Sequence, residues 1–233
     1  VTAAISEVSV SAALELLDAL LAIDLVRPTA VPRRFVFRHP LVRRAVYESA
    51  PPGWRLAAHA RASEALAARG ASAADRAHHV SQYAGQGDEE AIMLLAEAAK
   101  ALASRAPAAA VRWLEASLAL IPTTDVGRQI GGRVALAASL RSVGELDRCR
   151  TILLETIELL PAEDVSRRVE LTSRCAAVEH WLGRHEDAHR RLSRAWEELP
   201  DQTTQDAVLL QIELAVDGLH ELDFEQAIRI ADG

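Results

Sequence analysis

The chain has 233 residues, half of them hydrophobic and a quarter charged, with a formal net charge of −7. Its 45 alanines and 31 leucines are strong helix formers, whereas Phe, Trp and Tyr total 9 and β-branched residues are sparse, which disfavours a β-sandwich or barrel. The apolar content excludes general disorder, and no apolar run approaches the roughly 18 residues of a bilayer span, so no membrane partner is expected.

The chain opens on Val1, its only methionine is Met93, and it carries no basic, apolar, small-residue leader. It therefore reads as a piece of something longer. Ser11 is a candidate cap for a helix running to about Ile23. Asp24–Pro28 leaves the helix, Arg34–Arg38 alternates as a short strand, and Pro40 suits the first turn of a helix to about Ala50. Pro51-Pro52-Gly53 then breaks the chain. Helix, short strand, hairpin and helix are the order of a winged helix, so residues 1–53 are expected to form part of one. Helices over Arg55–Arg69 and Ala73–Ala84 lead onward into a region that differs in charge. Residues 27–61 carry eight arginines against Glu48 alone, and residues 81–233 carry 16 basic and 26 acidic side chains.

From about residue 88 the chain repeats. Pro122, Pro161 and Pro200 stand 39 residues apart, as do Gly144 and Gly183. Ala110, Cys149, Ala188 and Ala227 keep the same step, and so do Leu114, Leu153 and Leu192. The unit reads G-x4-[AC]-x3-L-x7-P. Glycine ends one helix in a left-handed turn, the small residue lets two helices approach, leucine lies on the same face, and proline stops the second helix. Upstream helices are expected over Val126–Val143, Val165–Leu182 and Thr204–Leu219, with aligned columns Leu136/Cys175/Leu214 and Ala137/Ala176/Ala215. Such helix–turn–helix pairs bury their apolar stripes by stacking on their neighbours.

The Gly-to-Pro spacing of 17 resembles the tetratricopeptide repeat (TPR), with a longer period of 39 in place of 34. The fold expected is all-α: a right-handed TPR-like superhelix over residues 54–233, preceded by the partial winged helix. Three stretches are similar to the large ATP-binding regulators of the LuxR type: Phe35-Val-Phe-Arg-His-Pro-Leu-Val-Arg-Arg-Ala-Val-Tyr47, Pro52-Gly-Trp-Arg-Leu-Ala-Ala-His-Ala-Arg-Ala62 and Ala77-His-His-Val80. That family joins a P-loop NTPase of the STAND class, a winged helix, a TPR-like superhelix and a DNA-binding helix-turn-helix. The resemblance implies a cytoplasmic sensor segment that takes an inducer molecule or a regulatory protein on the concave face of the superhelix and meets the regulator's own NTPase domain. ATP or ADP is expected in the full-length protein. No G-x4-G-K-[ST] run occurs here, so no cofactor is expected in this stretch, and DNA is contacted only through a module absent from it. The alternative is a stand-alone TPR scaffold for protein–protein interaction.

Five residues are candidates for the concave face: Arg141, Glu170, His180, Trp181 and His220. Trp181 with Arg141 offers an apolar anchor beside a charge; packing of Trp181 between repeats is the competing reading. His39, where strand meets helix, is the family's candidate for a β-phosphate contact, although His-Pro stands here where many relatives have His-Asp. Its competing role is to brace the wing. The arginines of residues 33–44 could meet DNA phosphates or acidic neighbours within the protein. His185-Glu-Asp-Ala-His189 matches the H-E-x-x-H zinc-hydrolase signature. However, Asp187 is a charge where such enzymes keep a neutral residue, and Ala188 falls in the packing column, so neither metal nor catalysis is expected. His78-His79 reads as a helix-face pair. Two cysteines, Cys149 and Cys175, suit a reducing compartment better than a disulfide framework.

Overall fold

The computed structural model describes residues 2–220, with side chains as far as Gly218. Among these residues the chain is mostly helical, with twelve helices and one two-stranded antiparallel hairpin. No described helix is long and apolar enough to cross a membrane. The chain divides into two compact units after Ala98.

The first unit contains α1 (Thr2–Ser6), α2 (Val10–Ala22), β1 (Val26–Pro28), β2 (Phe35–Phe37), α3 (Pro40–Ser49), α4 (Pro52–Ala67), α5 (Ala73–Tyr83) and most of α6 (Glu89–Leu102). Ser9, in extended backbone, caps α2 by accepting the Ala12 N–H at 3.1 Å. Ser11, the expected cap, instead lies inside the helix and donates to Glu15. Strand β2 lies where alternation placed it, but its partner β1 was not foreseen: Val26 pairs with Phe37 and Pro28 with Phe35. Three residues ending in proline are too few to carry a period-2 signal. Helix α1 is likewise too short to show periodicity. Helix α5 opens with a capping box in which Ser72 and Asp75 satisfy each other's backbone N–H groups. The core of this unit lies where α4 packs on α5, around Ala58, Ala62, Ala77 and Val80, and along α6 at Ile92 and Leu95.

The second unit contains α7 (Pro107–Leu120), α8 (Val126–Ser142), α9 (Leu146–Leu159), α10 (Val165–Trp181), α11 (His185–Glu197) and α12 (Gln205–His220). The 39-residue step holds in the elements themselves: α7, α9 and α11 begin at Pro107, Leu146 and His185, and α8 and α10 begin at Val126 and Val165. Each of these helices packs on the next, and α10 also packs on α12. The columns Ala110, Cys149 and Ala188, then Leu114, Leu153 and Leu192, are buried as spacing predicts. The upstream columns are buried at Leu136, Cys175, Ala137 and Ala176 but end on a half-buried Leu214 and an exposed Ala215. Each buried leucine contributes about 1.5–3 kcal/mol relative to exposure. A further column, Ile121, Leu160 and Leu199, precedes the three prolines and is buried too. Proline holds Ile121 and Leu160 in extended backbone, which turns their side chains inward at the end of the helix.

Gly144 and Gly183 take φ of +80° and +71°. At each, the next residue's N–H reaches back across the turn, Glu145 to the Leu140 carbonyl at 3.0 Å and Arg184 to the Glu179 carbonyl at 2.8 Å. This 6→1 bond, with the glycine N–H on Arg141 or His180, is a Schellman stop. It reverses the chain within three residues and so fixes where α8 and α10 end.

Candidate functional site

The ends of α8 and α10 carry most of the residues singled out from the sequence. Arg141 lies in the last turn of α8, where a cation is favoured by the helix dipole. Trp181 is the last residue of α10 and is 58% exposed. The two come together: the Arg141 guanidinium lies 5.7 Å from the Trp181 ring centroid, a cation–π contact. Glu170 is exposed on the same helix as Trp181 and accepts from Arg174 at 2.6 Å.

His180 is placed differently. Thirty-nine residues after Arg141, it is turned inward, its side chain only 8% exposed. Its Nε2 lies 3.4 Å from Asp217 Oδ1 of α12, and its ring stacks on His185 with Nδ1 to Nδ1 at 3.1 Å. Asp217 is fully buried and receives His189 Nδ1 on its other oxygen at 2.6 Å. The side chain of His220 lies outside the described residues.

These contacts account for the H-E-x-x-H run. Its two histidines serve different partners, His185 meeting His180 and His189 meeting Asp217. Asp187 pairs with Arg150 at 3.4 Å and also with Arg190. Ala188 is fully buried in its packing column. Among the described residues no group of three His, Cys, Asp or Glu side chains is placed to hold a metal ion.

Sequence reasoning missed Glu179, a fully buried carboxylate. Arg191 grips it with Nε and Nη2 at 3.0 and 2.8 Å, and Arg150 Nε adds a third bond at 2.8 Å. A signal was present, since Glu179 occupies the position 39 residues after the buried Leu140. Beside it, burial first and the Glu179 carboxylate second push the Cys175 thiol up to about 12. Burial likewise raises Cys149, which donates to the Ala137 carbonyl at 3.2 Å. Both thiols are therefore protonated and unreactive at neutral pH.

In the first unit, His39 is the N-cap of α3. Its Nδ1 accepts the Leu41 N–H at 3.2 Å, which leaves Nε2 as the N–H donor of the neutral ring. Of the basic cluster, Arg27 and Arg38 pair with Asp24, and Arg44 pairs with Glu48. Arg33, Arg34 and Arg43 are exposed and meet no carboxylate among the described residues. His79 lies with His59 Nδ1 at 2.9 Å from its own Nδ1, Tyr47 Oη lies 3.0 Å from His59 Nε2, and His78 packs edge-on to His59. Compared with known proteins, the chain matches no family profile and no curated protein.

Proposed function

We propose that this chain is the sensing segment of an ATP-dependent transcriptional regulator of the LuxR type, in which a TPR-like superhelix binds an inducer or a partner protein and biases the regulator between resting and active forms. The observation that carries the reading is the Arg141–Trp181 contact, an exposed aromatic and a guanidinium brought to one place by helices of the 39-residue register. In a right-handed TPR-like superhelix the first helices α8, α10 and α12 would line the concave side, and this contact would sit on it. An Arg beside a Trp is a common hot-spot composition.

The segment α2–β1–β2–α3 is read as part of a winged helix. Within it, His39 caps α3 through Nδ1 and keeps a donor at Nε2, suited to an anionic oxygen beside a helix N-terminus. Nucleotide held by an NTPase domain would be its ligand, because this chain has no phosphate-cradling loop of its own. Loss of such a contact would shift the balance of two forms.

Reading the open reading frame on both sides tests the proposal directly. A P-loop motif upstream and a helix-turn-helix downstream are expected; a frame that encodes neither would replace the regulator by a stand-alone repeat scaffold.

A further inference from the structure

Between α8, α9 and α10 lies a cavity of about 240 Å³. Its floor is apolar, with Val134, Leu153 and Val178 contributed by the three helices in turn, and Cys149 lines it as well. Two arginines, Arg141 from α8 and Arg174 from α10, line it together with Ala137 and Ala138. The volume equals roughly eight waters at ~30 Å³ each. It is smaller than the ~300–1,000 Å³ of drug-sized pockets and suits a small metabolite.

The charge around the cavity is unbalanced. Several arginines of this acidic unit pair with carboxylates, Arg133 with Glu155, Arg148 with Glu115 and Glu145, Arg184 with Asp147 and Arg194 with Glu198, whereas Arg112 rests on Trp113 and Arg168 donates to backbone carbonyls. Arg141 meets no carboxylate among the described residues and rests against Trp181. Arg174 has only Glu170, four residues back on the same helix, and both are about half exposed. Such a pair is weak, and a guanidinium has donors to spare beyond one carboxylate oxygen. The Cys149 thiol, kept protonated by burial, adds no negative charge. Two guanidiniums against one carboxylate beside an apolar floor is a recognition pattern for an anion with an apolar body, because arginine binds planar carboxylates or phosphates bidentately.

We infer that this cavity binds a small organic anion, its carboxylate or phosphate held by Arg141 and Arg174 and its apolar body on the floor of Val134, Leu153 and Val178. The inference rests on the proposed role of the α8–α10 face as the ligand-binding side and names the chemistry of the ligand. Occupation would draw Arg141 toward the anion and away from Trp181, so the site carries its own fluorescent reporter.

The test uses the whole 233-residue chain and four probes: phenylacetate, 4-methylpentanoate, phenyl phosphate and, as neutral isostere, phenylacetamide. Calorimetry measures binding, and the change in tryptophan emission that Trp181→Phe removes reports on Trp181 among the four tryptophans. Saturable binding of at least one carboxylate or of the phosphate ester is expected, at least tenfold tighter than the amide. Which acid prevails separates a carboxylate from a phosphate ligand. Arg141→Gln and Arg174→Gln should each weaken binding tenfold or more, whereas Arg167→Gln, exposed on α10 and outside the cavity, should leave it unchanged; circular dichroism checks that each variant is folded. Amide and acid binding equally would overturn the anion site while leaving the sensing role intact. Absence of saturable binding by every anion, or full binding by folded Arg141→Gln, would overturn it too. The regulator reading falls separately, on the flanking reading frame.

Discussion

The first fifty residues and the repeats from Pro107 to Leu199 are built from similar amphipathic stripes, yet they use them differently. In the repeats the recurring leucine is covered: Leu114, Leu153 and Leu192 are buried on α7, α9 and α11. In α2 and α3 no side chain is buried, and Leu14, Leu16, Leu41 and Val46 stay exposed although α2 is largely Ala and Leu. Only Val26 of the hairpin is buried there. The contrast shows what an amphipathic pattern establishes. It says that a helix has a face to bury, but the surface that covers it must come from somewhere; a repeat supplies that surface automatically, because each unit is its neighbour's lid.

The largest test of this contrast is cavity creation on both sides of it. Leu153→Ala should lower the stability of the repeat unit by about 2–5 kcal/mol. Leu16→Ala, at an exposed position on α2, should change stability by no more than about 0.5 kcal/mol. Urea unfolding followed by circular dichroism and tryptophan fluorescence measures both; equal losses would mean that α2 is held by contacts as tight as those of the repeats.

A second test concerns the polar exception inside the repeats. Glu179 is buried between Arg150 and Arg191, whose side chains are 21% and 25% exposed. Glu179→Ala leaves two guanidiniums without their carboxylate and opens a cavity, so a loss of about 3 kcal/mol is expected. Glu179→Leu fills the space as Leu140 does one repeat earlier, and both arginines can turn toward water, so it should cost clearly less. Urea midpoints for the two variants decide the matter. If leucine is as damaging as alanine, the ion pairs hold the α9–α10–α11 junction and shape alone does not.

The repeats were legible because their constraints recur. Glycine, the small residue, leucine and proline return every 39 residues, so the ends of α8 and α10 fell within a residue of expectation, as did the columns Ala110/Cys149/Ala188 and Leu114/Leu153/Leu192. The hairpin was half legible. Phe35–Phe37 alternates, but β1 is defined by its partner rather than by its own three residues. At the candidate site, Arg141 and Trp181 could be brought together from spacing, because both sit near the C-terminal ends of first helices. His180 could not be placed in this way: its orientation depends on Asp217, 37 residues later, and on His185 across a turn. Arg174 was missed because an Arg four residues after Glu170 reads as an ordinary surface pair, and only the cavity gives it a second role.

The smallest expected effect is one of pH, and it falls on the first unit. Burial pushes both His59 and His79 below the ordinary histidine value; the neighbouring histidines add to this, as does Arg55 in the case of His59. The groups that face the pair are Tyr47 from α3, Arg55 from α4, and His78 beside His79 on α5. A single proton suffices between the two Nδ1 atoms, and protonating both rings would set two N–H groups against each other. In the unfolded chain these rings titrate near 6.5, and in the folded chain lower. Below about 6.5 the unfolded state therefore takes up protons that the folded state refuses, so stability falls as pH drops from there through the folded values and is flat above. Hydrogen exchange, corrected for intrinsic rates, should show α4 and α5 less protected at pH 5.5 than at 7.5, with α8 and α9 unchanged. His79→Gln should reduce the difference without abolishing it, because one titrating ring and its opposition to His59 are removed while His59 keeps its burial. Protection that fell equally in α8 and α9 would assign the pH response to the whole chain and remove the histidine pair as its source.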